Sequence, residues 1–211
     1  MPALVLTIRT TIAGDDRNTT HRLLVHEDRV RATNELDRWR LFDFRQRTVT
    51  TVDDIARTWR VTSFDTLMAK RRALVSASRP QLPAAEIRPL PGPREIAGIS
   101  ASGYEIRLGG YRRELWLSSD PLIHPDFFPV MVAAEAADPD GAAVMREVDP
   151  VLRRLRGFPL LDRSEMRIDN ELLTIERRLI RRGKTDVPLR WFAIPSGYVE
   201  ETSRTARQKD P

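Results

Sequence analysis

The segment DVPLRWFAIPSGYVEE, residues 186–201, carries the strongest indication of the fold of this chain. It places a tryptophan, a phenylalanine and a tyrosine around a Pro-Ser-Gly turn, near the end of an arginine-rich sequence. Its apolar part, VPLRWFAIP, is predicted to be the last main strand of the chain. A polar tail follows at residues 203–211, where we expect a frayed end.

The composition is that of a folded protein with a sizeable core. The chain has 211 residues, of which 41% are hydrophobic and 31% charged, and this length suits one large domain or two small ones. No cysteine is present, which excludes disulfides, thiol catalysis and cysteine-based zinc sites. The 35 basic and 30 acidic residues leave a net charge of +5. The arginines alternate with apolar residues, which favours solvated faces over a single block that attracts anionic lipid or nucleic acid.

Period-two alternation dominates the sequence. In residues 3–12, ALVLTIRTTI, the side chains of Leu4, Leu6 and Ile8 fall on one face, as in a half-buried strand. Short runs rich in Thr, Val, Trp and Phe continue to residue 63, with turns every eight to ten residues. This pattern predicts an antiparallel meander. Two hairpins are predicted further on, one around Gly109-Gly110 and one around residues 169–170.

In two regions, the spacing of the apolar residues changes from that of a strand to that of a helix. Residues 64–75 have apolar side chains at helical spacing, with Asp65 in the first turn. A helical insert is predicted at about residues 125–156, with an apolar stripe that ends at Gly157. Between the first helix and the next strands, the proline-rich residues 79–93 predict an extended connector.

Three stretches of the chain resemble the LolA/LolB-like superfamily of bacterial envelope proteins, which includes lipoprotein-sorting proteins and lipoprotein-like domains of unknown function. Residues 23–61, LLVHEDRVRATNELDRWRLFDFRQRTVTTVDDIARTWRV, are similar to the meander of that family. Residues 103–120, GYEIRLGGYRRELWLSSD, are similar to its central hairpin, and residues 157–200 to its closing unit. In that closing unit, the resemblance implies a short strand that delivers Phe192 and Ile194 to the core.

The resemblance implies the fold and the domain boundaries. We expect a mainly β (α+β) protein, in which a curved antiparallel sheet forms an open half-barrel and helices cover its concave face. A single domain would span residues 1–202. The aromatic segment near the C-terminus would then plug and close the sheet.

The same resemblance implies a hydrophobic cavity under the helices, for a lipid or a lipoprotein acyl chain. The helix at residues 64–75 and the one that carries Phe127 would be its lid, since Met and aromatic side chains adapt well to acyl chains. The residues predicted to line the cavity are Phe64, Leu67, Met68, Trp116, Phe127, Phe128, Met131, Leu173, Ile175 and Phe192. Basic residues near the rim would meet anionic head groups of a membrane, and these are Arg71, Arg72, Arg153 and Arg154.

No pattern in the sequence indicates catalysis, a metal site or a cofactor. His21 and His26 differ by five positions, so on a strand they point to opposite faces and do not share a metal. His124 precedes Pro125-Asp126 at a predicted helix start, where a loop or capping role is favoured. The serines have no nucleophile-elbow pattern, and the paired aspartates lie at predicted turns.

We therefore expect a non-enzymatic protein of the periplasm or cell envelope that binds a hydrophobic ligand and has an envelope protein as a possible partner. The alternative is a structural or regulatory protein-interaction module with a self-filled core. A nucleic-acid binder that uses the arginine surface is a third hypothesis, which we do not favour. No apolar run reaches the roughly 18 residues of a spanning helix. The start MPALVLTIRT lacks the basic residues of a signal peptide, and we expect a leader to have been removed ahead of it.

Overall fold

The computed structural model of the chain describes residues 1–13, 18–33, 37–76, 85–120, 123–135, 148, 151–152, 154–168 and 171–201. The helices with defined ends are α1 (Phe64–Ser76) and α2 (Phe127–Glu135), and a 3₁₀ helix spans Leu189–Phe192. The strands are β1 (Pro2–Ile12), β2 (Asn18–His26), β3 (Arg29–Thr33), β4 (Arg38–Asp43), β5 (Thr48–Asp53), β6 (Thr58–Ser63), β7 (Glu86–Pro89), β8 (Arg94–Ile96), β9 (Ile99–Leu108), β10 (Tyr111–Ser118), β11 (Phe158–Ile168), β12 (Glu171–Asp186) and β13 (Val199–Glu200).

All of these strands belong to one open sheet. Its order is β13-β6-β5-β4-β3-β2-β1-β12-β11-β10-β9-β7, and β8 also pairs with β9. Neighbouring strands are antiparallel, except for β13, which runs parallel to β6. The sheet is curved into a half-barrel with the helices on its concave side, which confirms the predicted fold class.

The first strand lies in the middle of the sheet. β1 pairs with β2 on one side and with β12 on the other, in a register that runs from Pro2 opposite Asp186 to Ile12 opposite Ile175. The predicted meander is β1–β6, and the predicted hairpins are β9–β10 and β11–β12. The pairing of β1 with β12 therefore joins the N-terminal meander to the C-terminal hairpins.

Both faces of the sheet carry apolar side chains. Leu4 and Leu6 point to the concave face, where they join a large core under α1 and α2. Ala3 points to the convex face and packs there with Leu24 and Trp39. A second cover is therefore needed on the convex face, because buried apolar area is what stabilises either side.

The C-terminal segment provides that cover, and its structure differs from the prediction. Residues 187–201, the C-terminal strap, cross the convex face as a 3₁₀ turn instead of a strand, and only β13 pairs with the sheet. Phe192 is 4% exposed in the convex cluster with Val187, while Ile194 is half-buried. Within this 3₁₀ turn after Pro188, Phe192 points inward while Trp191 remains outside.

Backbone and side-chain hydrogen bonds hold the strap along its length. The N–H of Val187 donates to the carbonyl of Met1 (2.9 Å), and Nη1 of Arg31 donates to the carbonyl of Trp191 (2.8 Å). Further along, the hydroxyl of Tyr198 donates to Asp54 (3.1 Å). The strap is thus fixed at its start, its middle and its end.

The proline-rich connector contains a strand. Residues 77–84 lie outside the described part of the chain, but Glu86–Pro89 form β7 against β9. The N–H of Leu90 continues this ladder with a bond to the carbonyl of Gly103 (2.8 Å), and β8 resumes pairing with β9 after the prolines. Prolines are tolerated here because β7 and β8 form the edge of the sheet, where a missing N–H leaves no partner unpaired.

Helices lie in both regions where they were predicted, although residues 154–156, just before the predicted end at Gly157, are not helical. α1 covers the predicted residues 64–75, and α2 begins within the predicted insert. Val148 and residues 151–152 are also helical, whereas the rest of the insert between 136 and 153 is outside the described residues. Gly157, the predicted helix end, has φ +115° immediately before β11, and a Cβ there would strike the carbonyl of Ser118.

Replacing Phe192 with alanine is expected to lower the free energy of unfolding by about 3–5 kcal/mol, the usual range for truncation of a buried phenylalanine. Trp191→Ala is the matched control, because Trp191 is in the same turn but 42% exposed; its effect should be about 0.5 kcal/mol or less. Urea unfolding followed by circular dichroism measures both. Similar losses for the two variants would mean that Phe192 does not anchor the strap.

Candidate functional site

Most of the residues that were predicted to line a cavity belong to one connected apolar cluster, centred between the helices and the concave face. α1 supplies three of them and α2 supplies two. Phe128, also on α2, lies in a neighbouring cluster that Met131 contacts as well. The predicted residues in the connected cluster are Phe64, Leu67, Met68, Trp116, Phe127 and Met131.

Aromatic side chains fill the concave face beneath the helices. The ring of Phe127 lies 5.3 Å from that of Phe42 on β4 and 5.5 Å from that of Phe158 on β11. Phe44, just after β4, packs edge-on against Phe64 at 5.3 Å. Phe127 and Phe158 are each 1% exposed. These edge-to-face and tilted contacts are the arrangements that aromatic rings prefer in a packed core.

His124 holds the start of α2 in place. Its ring stacks on Phe44 with 4.2 Å between centroids, and its Nδ1 accepts a hydrogen bond from the N–H of Asp126 (3.2 Å). Of the two predicted roles, loop or cap, this arrangement fits the loop role, because Asp126 precedes the first residue of α2. His21 and His26 lie on opposite faces of β2, as predicted, since His26 contacts Phe192 on the convex face.

A buried arginine links the two helices. Nη1 of Arg71 donates to the carbonyl of Pro129 on α2 (3.1 Å), and Arg71 is 3% exposed. The prediction that Arg71 meets head groups at the rim is wrong, because its aliphatic stem and guanidinium are enclosed between the helices. Arg72 and Arg154 are exposed, and Arg153 lies outside the described residues.

Three predicted cavity residues belong to neither of these two clusters. Phe192 is on the convex face under the strap. Leu173 and Ile175 are half-buried near the start of β12, opposite Met166 and Ser164 of β11. The sequence alone does not show which face of the sheet Phe192 contacts. Its position on the convex face follows from the path of the strap, which crosses the sheet on the side opposite to the helices.

Trp116 reaches the connected cluster from the sheet itself. It lies directly opposite Gly103 on β9, and a Cβ on Gly103 would be 2.9 Å from the indole ring. Its Nε1 donates to Glu114 (2.6 Å), and the guanidinium of Arg94 on β8 lies 5.6 Å from the ring centroid. These close partners belong to β8, β9 and β10, so Trp116 helps to pack the sheet and is not aimed at an open cavity.

A buried ion pair on the concave side was not predicted. Arg113 of β10 binds Asp162 of β11 through two hydrogen bonds, from Nε (2.7 Å) and Nη2 (2.6 Å), and both side chains are less than 9% exposed. Burial also raises the pKa of Tyr111, two residues away on the same face. The sequence does indicate that Arg113 is buried, because in the alternating run it shares a face with the apolar positions Tyr111, Leu115 and Leu117.

We expect Asp162→Asn to lower the free energy of unfolding by about 3–5 kcal/mol, because it removes the buried carboxylate that binds the guanidinium of Arg113 through two hydrogen bonds. The double variant Arg113→Met/Asp162→Leu should recover most of the loss, since it removes both charges. Glu86→Gln, which breaks the exposed pair of Arg88 and Glu86, is the control and should cost no more than about 1 kcal/mol. Urea unfolding measures all three, and a double variant as unstable as the single one would contradict this account.

A small polar pocket of about 140 Å³ lies at the turn between β2 and β3. Its walls include the ion pair of Arg29 with Asp43 (2.9 Å) and the exposed Leu189 of the strap. His26 closes one side, and its Nδ1 donates to the carbonyl of Pro2 (2.9 Å). Within the pocket, the ion pair engages Arg29 and Asp43, and the hydrogen bond engages Nδ1 of His26.

Among the described residues, no group of three or more His, Asp or Glu side chains is arranged to hold a metal ion. No helix in this part of the chain is both long and apolar enough to cross a membrane.

No family model matches the sequence, and no curated protein matches it. Among solved structures, PNGF-II is similar to this chain over 96% of its length, with 10% identity and a TM-score of 0.55, and the match covers 31% of the PNGF-II chain. The chain thus spans about a third of that protein, and the likeness shows a shared fold.

Two further solved structures are similar at lower scores. An uncharacterized conserved protein from Thermus thermophilus matches with 10% identity and a TM-score of 0.46, over 95% of this chain and 90% of that one. MucB, solved in complex with MucA(peri), matches with 16% identity and a TM-score of 0.39, over 89% of this chain and 52% of that one. A second structure of the MucA/MucB complex, from Pseudomonas aeruginosa, has a TM-score of 0.38.

Proposed function

We propose that this protein is a non-enzymatic, LolA-like protein of the cell envelope, located in the periplasm, that binds an extended segment of a protein partner at the open edge of its sheet. The edge in question is formed by β6 and β13. The observation that carries the proposal is that this edge already accepts a strand: the strap of the chain itself pairs with β6.

The geometry of the edge supports strand addition. The N–H groups of Val199 and Glu201 donate to the carbonyls of Arg57 (3.0 Å) and Trp59 (2.7 Å), so odd-numbered residues of β6 direct their backbone groups away from β5. Val61 continues this series, and within the described residues no strand pairs with it on that side. An extended peptide binds such an edge through backbone hydrogen bonds, and neighbouring side chains supply specificity.

Exposed apolar side chains concentrate at the same edge. Ile55, in the turn before β6, is 78% exposed, and Val199 on β13 is 67% exposed. Val61 lies two residues beyond the paired part of β6 and is also exposed. Exposed apolar groups beside an unpaired strand are an aggregation hazard unless a partner covers them.

The packing of the concave face supports a protein partner over a lipid. Phe127 and Phe128 occupy the space in which an acyl chain would lie, and each is at most 1% exposed. A cargo would have to displace these rings and the contacts of Phe127 with Phe42 and Phe158. This is the self-filled alternative among the predicted functions.

A hydrophobic ligand is the second candidate, on one specific observation. Three apolar residues of α1 and α2 are only half-buried, and these are Leu67, Met68 and Met131. Apolar surface is therefore accessible to solvent at the entrance to the predicted cavity. A lid that opens there would expose the aromatic cluster. Extraction of the purified protein with organic solvent, followed by mass spectrometry, should then yield lipid in proportion to protein.

The protein-binding proposal is tested with a photo-crosslinking amino acid placed at Val61, in the cells from which the protein derives. We expect a covalent protein adduct of discrete mass, and we expect Val199→Lys in the same chain to reduce its yield because it adds charge to the apolar edge. The matched control places the crosslinker at Leu172, which is 56% exposed on β12. Equal adducts from both positions, none from Val61, or stoichiometric lipid in the extract would overturn the proposal.

A further inference from the structure

Four arginines form a patch on the convex face of three neighbouring strands. Arg9 on β1 lies directly opposite Arg178 on β12. Two residues away on β1, Thr7 lies between Arg22 of β2 and Arg181 of β12, which are its cross-strand partners. Directly opposite residues share a face of the sheet, so the arginine patch (Arg9, Arg22, Arg178 and Arg181) projects from one continuous surface, and all four side chains are exposed.

Among the described residues, no aspartate or glutamate forms an ion pair with the patch. The sequences of β1, β2 and β3 contain no aspartate or glutamate. On β12 the nearest carboxylate of the same face, Glu176, lies directly opposite Arg163 of β11. Within the described part of the chain, none of the four arginines makes an ion pair.

Elsewhere on the same face, arginines are paired with glutamates. On β9–β11, Glu105 accepts hydrogen bonds from Arg107 and Arg112, each at 2.7 Å, and these bonds lower its pKa. Arg112 and Arg163 also pair with Glu165, at 3.5 and 2.9 Å. The arginine patch therefore differs from β9–β11, where these arginines pair with glutamates on the same face.

An uncompensated patch of this kind works against folding. Like charges directly opposite each other on neighbouring strands are destabilising, and Arg9 faces Arg178 in this way. An anionic partner that sits over the patch would relieve the repulsion.

The strap borders the patch with exposed apolar side chains. Arg31, whose guanidinium binds the carbonyl of Trp191, lies opposite Leu24, two residues along β2 from Arg22. In that turn Leu189 is 66% and Trp191 is 42% exposed, with the exposed Arg190 between them. Tryptophan beside basic residues is characteristic of surfaces that lie at a membrane interface.

We propose that the convex face docks peripherally onto an anionic phospholipid membrane through the arginine patch, with Leu189 and Trp191 at the headgroup boundary. A lipid surface presents many anions in one plane, which matches guanidinium groups that project from one face of a sheet. Each basic residue at such a surface changes the binding constant by roughly fivefold. This site is separate from the β6–β13 edge and does not depend on the proposed protein partner.

The test is co-sedimentation of the full chain with phosphatidylcholine vesicles, with and without phosphatidylglycerol. We expect binding only to the vesicles that contain phosphatidylglycerol, and weaker binding as salt is added. Replacing all four patch arginines with glutamine should reduce the binding constant by roughly 100-fold or more. Trp191→Ala should produce a smaller loss.

The matched control is Arg45→Gln/Arg60→Gln/Arg88→Gln/Arg167→Gln, which removes the same charge from exposed arginines elsewhere. This variant should retain most of the vesicle binding, and thermal unfolding should show the patch variant to be at least as stable as the wild type. Absence of binding by the wild type, or equal losses for the two variants, would overturn the proposal. So would a patch variant that loses binding to an acidic peptide or a single-stranded oligonucleotide while vesicle binding is unchanged.

Discussion

The pairing of β1 with β12 is the interaction on which the rest of the structure depends. It joins residues from opposite ends of the chain, with Pro2 opposite Asp186, and turns a meander and two hairpins into one sheet. Such non-local pairing is slow to form because the loop must close before its contacts can stabilise it. Once formed, it provides a concave face for the helices and a convex face for the strap.

The helices cover the concave face, and the strap covers part of the convex face. The surfaces that remain for binding are the β6 edge of the sheet and the arginine patch. The concave side is occupied by Phe127, Phe128 and their neighbours, so binding there requires the helices to move. The β6 edge and the arginine patch need no such movement, since both are exposed in the folded chain. We propose the first surface for a protein partner and the second for a membrane, and the two do not overlap.

Much of the fold could be predicted from the sequence because it rests on local patterns. Alternation located the strands of the meander and of the two hairpins, but not β7, β8 or β13. Helical spacing located α1 within a residue of its observed end. The strap could not be predicted in the same way, since the burial of Phe192 depends on a face of the sheet made by β1–β5. The ion pair of Arg113 and Asp162 could not be predicted either, because each charge is stabilised in the core by the other, and the two residues lie on different strands.

Amide hydrogen exchange tests the central claim most directly. If β1 and β12 hold the two parts of the sheet together, their backbone amides should exchange only through global unfolding and be among the slowest in the chain. The edge strands β7 and β8 should exchange much faster. Amides of β1 and β12 that exchange as fast as those of β7, while β4 and β5 remain protected, would show that the N-terminal meander is a separate unit and would contradict the account.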